Sequence, residues 1–419
     1  MRYRQSSMII GAVILILALT PILGPTAWAV KYKTLYAFTG GADGSNPNAG
    51  LVSDAVGNLY GTAYYGGASG VGTVFELVRK SDGTYDETVL YAFTGGADGG
   101  DPHGPLIFDD QGNLYGTTEG GGSSYSWGTV FKLSPNHDGS WTESTLYTFQ
   151  GWWGGDGGMP MAGMTVDRAG NLYGTTYYGG NGCPWYGACG TVFELATHPD
   201  GSWTESILYS FTSGDDGETP IAGVAFDATG NLYAASWQGF YNGYGAILRL
   251  VPNPDGSWTP SVLHTFIGGR DGAFPRGTLV FDSAGNLYGT TSVGGVFGDG
   301  NILKGSPQTD GTWTGQVLHQ FTGGKDGGRP FAGLTFDGSG SLYGTTSSGG
   351  VYGYGSVFRL APLPAGGWKF TALHEFLDQP GDPGANPWGG VIFDATGNLY
   401  GTTAGDGTTT FGTVFEITP

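Results

Sequence analysis

Gly112-Asn113-Leu114-Tyr115-Gly116-Thr117-Thr118 is the stretch from which the rest of this chain is read. The same seven residues stand at 170–176, 285–291 and 397–403, and recur with substitutions at 57–63, 230–236 and 340–346. The seven copies lie 55, 58, 60, 55, 55 and 57 residues apart, and self-similarity at such a period marks a repeat architecture.

Working outward from the second copy, 104–109 reads as a short strand, 110–113 as a turn and 114–118 as a second strand. After a glycine-rich loop, 128–133 is a third strand and 141–149 a fourth. Gly, Pro, Asn or Asp bounds each one, supplying the positive-φ positions and fixed turns that end a strand. Four antiparallel strands per unit, the last apolar on both faces, describe a blade packed between two others, so the expected fold is an all-β, seven-bladed β-propeller.

The phase of the repeat indicates closure. The fourth-strand pattern occurs first at Leu35-Tyr36-Ala37-Phe38, ahead of any complete unit, and the chain finishes on a third-strand pattern at 412–417. An N-terminal strand therefore completes the last blade, which pairs the two chain ends and leaves no open sheet edge.

Composition fits an exported protein. Glycine supplies 83 of 419 residues, yet apolar residues reach 39% and recur in register, which argues against disorder. The net charge of −19 disfavours nucleic acid and anionic membrane surfaces as partners, because both are bound through basic patches. Residues 1–29 read as a signal peptide, with Arg2 and Arg4 before an uncharged apolar run and Ala27-Trp28-Ala29 as the cleavage site. The mature unit is then a single propeller domain, 30–419, monomeric, without a membrane span, and secreted to the extracellular space or the periplasm.

The tandem pattern Gly-x-Leu-x-x-Asp-x-x-Gly-Asn-Leu-Tyr-Gly-Thr-Thr, followed by Gly-Gly and Gly-Thr-Val-Phe-x-Leu and exemplified by Ala162 through Leu195, resembles the repeat of the bacterial GloVer tandem-repeat proteins. The resemblance spans 30–419 and implies an exported repeat protein of unassigned biochemical role, often with a C-terminal sorting anchor. The expectation for this chain departs there: a protein without that anchor. The resemblance carries over no catalytic residues.

In a propeller the loop from each fourth strand to the next first strand, and each second-to-third loop, open on the face around the central channel. The first set carries Asp43, Asp98, Asp156, Asp216, Asp271, Asp326 and Asp382, expected to ring the mouth. They are either turn-forming Asx residues or a site for a cation, with Ca²⁺ the candidate ion. A second set, Asp54, Asp109, Asp167, Asp227, Asp282, Asp337 and Asp394, belongs to turns on the opposite face.

What differs between units points to a ligand. The residue after each loop proline is Asn48, His103, Met161, Ile221, Arg276, Phe331 and Trp388, and these seven should crowd the mouth. Trp152, Trp153, Trp185, Tyr186, Trp237 and Tyr241 add aromatic faces in the long loops. Aromatic faces beside polar acceptors suit sugar rings, which present apolar C–H faces and hydroxyls; the alternative is that the loops pack on one another. Cys183 and Cys189 flank Trp185 and Tyr186 and would pair in an oxidising compartment.

No phosphate-binding loop, nucleophile elbow or zinc-protease motif occurs, and no catalytic residue is assigned. His264, His319 and His374 occupy the slot of Tyr91, Tyr147 and Tyr209 and read as structural substitutes. His103 beside Asp101, with Arg276 and Arg329, leaves an acid-base reading open. The leading expectation is a polysaccharide-binding protein, followed by an extracellular polysaccharide hydrolase or lyase, then a cell-surface scaffold for another protein.

Overall fold

The computed structural model describes residues 30–123, 125–151, 154–181, 189–239, 243–379, 382–405 and 410–419. They form seven separate antiparallel sheets, with no helix among the described residues. Blade 1 runs outward from the axis through Val52–Ser53, Leu59–Ala63, Thr73–Arg79 and Tyr85–Ala92, and this order repeats through blade 6, which ends on Trp368–Glu375; in blade 5 a further short strand, Ala273–Pro275, also pairs with Leu287–Val293. Blade 7 consists of Ile392–Phe393, Leu399–Thr403 and Thr413–Thr418, with Lys31–Ala37 as its outer strand. Lys31 pairs with Thr418 and Ala37 with Thr413, so the expected seam closes the ring.

One heptapeptide does several jobs in each blade. Asp109 Oδ1 accepts the backbone N–H of Gln111 and Asn113, while Oδ2 accepts Asn113 Nδ2 and the Tyr115 hydroxyl. Gly112 sits at φ 82°, a conformation that side chains disfavour. The strand that follows, Leu114–Thr118, is buried along its whole length. Gly116 admits the Phe131 ring, which would stand 2.5 Å from an added Cβ. Thr117 Oγ1 then donates to the Ala162 carbonyl of the next blade at 3.0 Å. Turn, strand, core and blade-to-blade bond thus come from adjacent residues.

The innermost strand differs from its expectation. Only Ile107–Phe108 joins the ladder, not 104–109. At the axis the circumference is smallest, and a Cβ on Gly104 would lie 2.4 Å from the Ala162 carbonyl carbon. The upstream segment therefore packs against its counterpart in the next blade instead of pairing within its own.

The core lies between blades. Tyr115, Val130 and Phe149 of blade 2 meet Met164, Leu172, Phe193 and Leu195 of blade 3, and burial of each large side chain contributes roughly 1.5–3 kcal/mol. The aromatic that opens each outer strand covers the rim of this core: Trp141 lies against Tyr60, Trp203 against Tyr115, Trp313 against Tyr233 and Trp368 against Tyr288.

Candidate functional site at the channel mouth

Each mouth residue is aimed by a strained dipeptide. The residue before every loop proline is left-handed, at φ 54° in Asn46, 56° in Asp101, 54° in Met159, 52° in Thr219, 57° in Phe274, 54° in Arg329 and 53° in Asn386. Such a conformation persists only where the surroundings hold it. Here the Asp101 N–H donates to the Val71 carbonyl and its own carbonyl accepts from the Glu119 N–H. Pro102 then packs on Gly72, leaving 2.4 Å to an added Cβ. The clamp turns the next residue toward the axis. Asn48, His103, Met161, Ile221, Arg276, Phe331 and Trp388, from all seven blades, line one axial cavity of about 290 Å³.

The seven side chains are unlike one another, and their contacts fall into two groups. In one, the Arg276 guanidinium lies 4.1 Å from the Phe331 ring centroid and 5.8 Å from that of Trp237. Phe331 meets Trp388 edge-on at 5.8 Å, and Trp388 is 36% exposed. Burial lowers the Arg276 pKa from its usual value. In the other group, His103 Nδ1 is 3.0 Å from the Met161 carbonyl, which can only accept, so Nδ1 carries the proton. Burial brings the His103 pKa down to about 4, leaving a neutral ring at neutral pH.

Tyr64 links His103 to an acidic group behind the cavity wall, and none of Tyr64, Asp101 and Glu119 lines the cavity itself. Tyr64 packs edge-on to the imidazole at 5.6 Å and donates its hydroxyl to Glu119 Oε2 at 2.8 Å. Burial raises the Glu119 carboxyl pKa, and burial together with the Glu119 charge raises that of Asp101. Glu119 escaped the sequence reading although a signal was present. It follows the Gly-Thr-Thr strand where the other blades carry Tyr64, Tyr177, Trp237, Ser292, Ser347 and Ala404, so it is the one acid of that set.

The seven loop aspartates require a correction, since none of them lines the cavity. Each turns away toward the outer strand of its own blade. Asp43 accepts the Tyr36 hydroxyl, the Thr39 N–H and hydroxyl, and the Gly41 N–H. Asp98, Asp156 and Asp216 accept Tyr91, Tyr147 and Tyr209 in the same way. Asp271, Asp326 and Asp382 face His264, His319 and His374 at 3.2, 3.1 and 2.9 Å. The shared partner explains why histidine replaces tyrosine in those blades: His264 and His319 hydrogen-bond their aspartates at the same reach, and His374 stands as close to Asp382 without a hydrogen bond. Among the described residues no three His, Cys, Asp or Glu side chains are grouped to hold a metal ion.

Of the other aromatic candidates, Trp237 joins the mouth through Arg276 and lies 5.8 Å from Phe274. Arg329 is exposed and does not line the cavity. Trp152, Trp153, Trp185, Tyr186, Tyr241 and Cys183 lie outside the described residues, as do residues 1–29, where a signal peptide is expected. Cys189, the other member of the expected disulfide, is fully buried in the core between blades 3 and 4.

Fold and mouth together define a seven-bladed β-propeller with an asymmetric axial cavity. The signature of the Gloeobacter/Verrucomicrobia repeat matches residues 24–185, 182–315 and 256–419, and the chain belongs to that family. No curated protein matches the chain significantly. Among solved structures it is similar to a putative oxidoreductase (glucose dehydrogenase) from Thermus thermophilus, at 17% identity and TM-score 0.44, over 76% of this chain and 96% of that one. It is also similar to a puromycin-hydrolyzing peptidase from Mycobacterium tuberculosis, at 13% identity and TM-score 0.51, over 89% of this chain. The chain spans about half of that peptidase, 52%, and the likeness is one of fold alone.

Proposed function

We propose that this is an exported propeller, released after cleavage of residues 1–29, that binds carbohydrate at its channel mouth. The observation that supports this reading is the Arg276, Phe331 and Trp388 cluster. Phe331 carries the guanidinium on its face and so holds it beside the exposed indole. A sugar ring would stack its C–H face on Trp388 while Arg276 donates to ring hydroxyls or a carboxylate, and neutral His103 would offer Nε2 as an acceptor in the same cavity. We further expect Cys183 and Cys189 to pair as a disulfide in an oxidising compartment.

Glycan-array binding followed by calorimetry tests the reading. Trp388→Ala and Arg276→Met should each lower affinity at least about tenfold, a loss of roughly 1.4 kcal/mol. A chelator should leave binding intact, because the loop aspartates are already occupied by Tyr or His. If no polysaccharide binds, the carbohydrate reading fails and a protein partner takes its place.

The raised carboxyls of Glu119 and Asp101 beside Tyr64 and His103 favour a second reading, a polysaccharide hydrolase or lyase. The upward shift favours the protonated form that a general acid needs. Product formation from bound polysaccharide that Glu119→Gln abolishes without loss of binding would establish it.

A further inference from the structure

In six blades the third and outer strands set a bulky pair face to face. The pairs are Leu77 with Glu87, Leu133 with Glu143, Leu195 with Glu205, Leu250 with Pro260, Leu360 with Phe370 and Ile417 with Tyr32. In blade 5 the pair is Gly305 with Gly315. Neither glycine has a positive φ, and a Cβ on Gly315 would have nothing within 4 Å. Backbone geometry therefore does not call for glycine here, and glycine inside a strand weakens it.

A second truncation adds to the first. The third-strand Phe of most blades is Leu248 in blade 4 and Leu303 in blade 5. Blade 4 restores the volume, since Ala234 stands opposite Leu248 where other blades have glycine. Blade 5 keeps Gly289 opposite Leu303. Among the described residues, the buried cluster between blades 4 and 5 holds only Tyr233, Leu279 and Leu287, whereas the cluster between blades 5 and 6 holds seven residues. What remains is a cleft of about 390 Å³ that shares no lining residue with the axial cavity.

The sister interfaces show what shape is missing. His319 carries Phe370 stacked on its ring at 4.3 Å and 14°, and His374 carries Tyr32 at 3.9 Å and 3°. Both stacked residues occupy the position that Gly315 takes in blade 5. His264 lines the cleft and keeps the edge-on contact with Phe266, at 4.6 Å and 89°, that His319 and His374 make with Phe321 and Phe376. The stacking face is left bare. Asp271 also lines the cleft: its Oδ2 takes His264 Nε2 at 3.2 Å and the Ile267 N–H at 3.1 Å, while its buried Oδ1 has no hydrogen-bond partner.

We propose that the cleft between blades 4 and 5 binds a small planar aromatic molecule carrying an N–H or O–H group. Its ring stacks on His264 in the place that Phe370 and Tyr32 take in blades 6 and 7, and its donor reaches the Asp271 carboxylate. Leu279, Leu287, Leu303 and Trp313 form the apolar surround. An apolar cleft of this kind accepts an aromatic guest because water gains too few partners there to compete.

Calorimetric titration of the protein with indole, against Gly315→Phe and Asp271→Asn, tests the site. Indole should bind the unaltered protein, lose at least about tenfold in affinity on Gly315→Phe, whose own ring fills the stacking place, and lose severalfold on Asp271→Asn. Gly315→Phe should also melt at a higher temperature. Where Gly315→Phe does not fold, Gly315→Leu and indole-induced NMR shifts of His264 decide the same question. No binding of millimolar indole, or binding that survives the filling of position 315, would overturn the proposal and leave the cleft a packing defect.

Discussion

The Tyr209 hydroxyl donates to Asp216 Oδ2 at 2.9 Å, and an equivalent contact from tyrosine or histidine recurs in all seven blades at 2.7–3.2 Å. Asp216 also accepts the Thr212 N–H and hydroxyl and the Gly214 N–H, and is almost fully buried. In six blades the bond ties the end of the outer strand to the loop that leads into the next blade; in blade 6 His374 and Asp382 approach to 2.9 Å without a hydrogen bond. Asp216→Ala strands these donors and should cost roughly 2–3 kcal/mol, measured by denaturant unfolding. A loss below about 0.5 kcal/mol would mean that the loop holds its shape without the carboxylate.

Thr219 is β-branched, lies at φ 52° and buries a hydroxyl that has no hydrogen-bond partner. Glycine tolerates that conformation. Thr219→Gly should therefore stabilise the protein by about 1 kcal/mol, seen as a raised melting temperature. The same change in a residue of ordinary φ would destabilise it.

Glu205 carries a pH dependence of defined sign. Burial, and secondarily the Asp156 charge, raise its carboxyl to about 7. Between about pH 4.3, where the unfolded chain releases this proton, and about 7, the folded state retains it, so stability falls as pH rises through that window. Glu205→Gln removes the effect. The variant should melt like the unaltered protein at pH 4.5 and about 1–2 °C above it at pH 8. Equal melting temperatures at both pH values would show that the carboxyl is effectively solvated. Glu87, raised to about 7 by burial and then by Asp43, should behave alike.

Removal of residues 1–38 takes away the outer strand of blade 7 and the Phe38 N–H bond to the Gly412 carbonyl at 3.0 Å. Thr413–Thr418 then becomes an open edge flanked by Val414 and Phe415, both fully buried in the closed ring. The truncated protein should aggregate on refolding while the chain from residue 30 onward stays in solution, which light scattering would read. A truncated protein that remains monomeric would show that the seam is dispensable.

The repeat and its phase were legible because each unit carries its own turn signals, core residues and blade-to-blade threonine within a short span. The seven mouth residues were legible as well, since a proline precedes each one and fixes the direction of the chain at that point. The direction of the aspartates was not. It depends on a ring seven residues upstream in most blades, brought close only when the outer strand pairs and the loop folds back.

The sequence by itself therefore determined the blade, the number of blades and the set of residues that meets at the axis, because period and turn chemistry act locally. Tertiary structure decided which of those residues touch, that Glu119 and Tyr64 join His103, and that the space between blades 4 and 5 is unfilled. The hollow arises from the absence of Gly305 and Gly315 side chains across a pair of strands and of a compensating group opposite Leu303. Volume lost at several positions becomes a cavity only where packing brings them together.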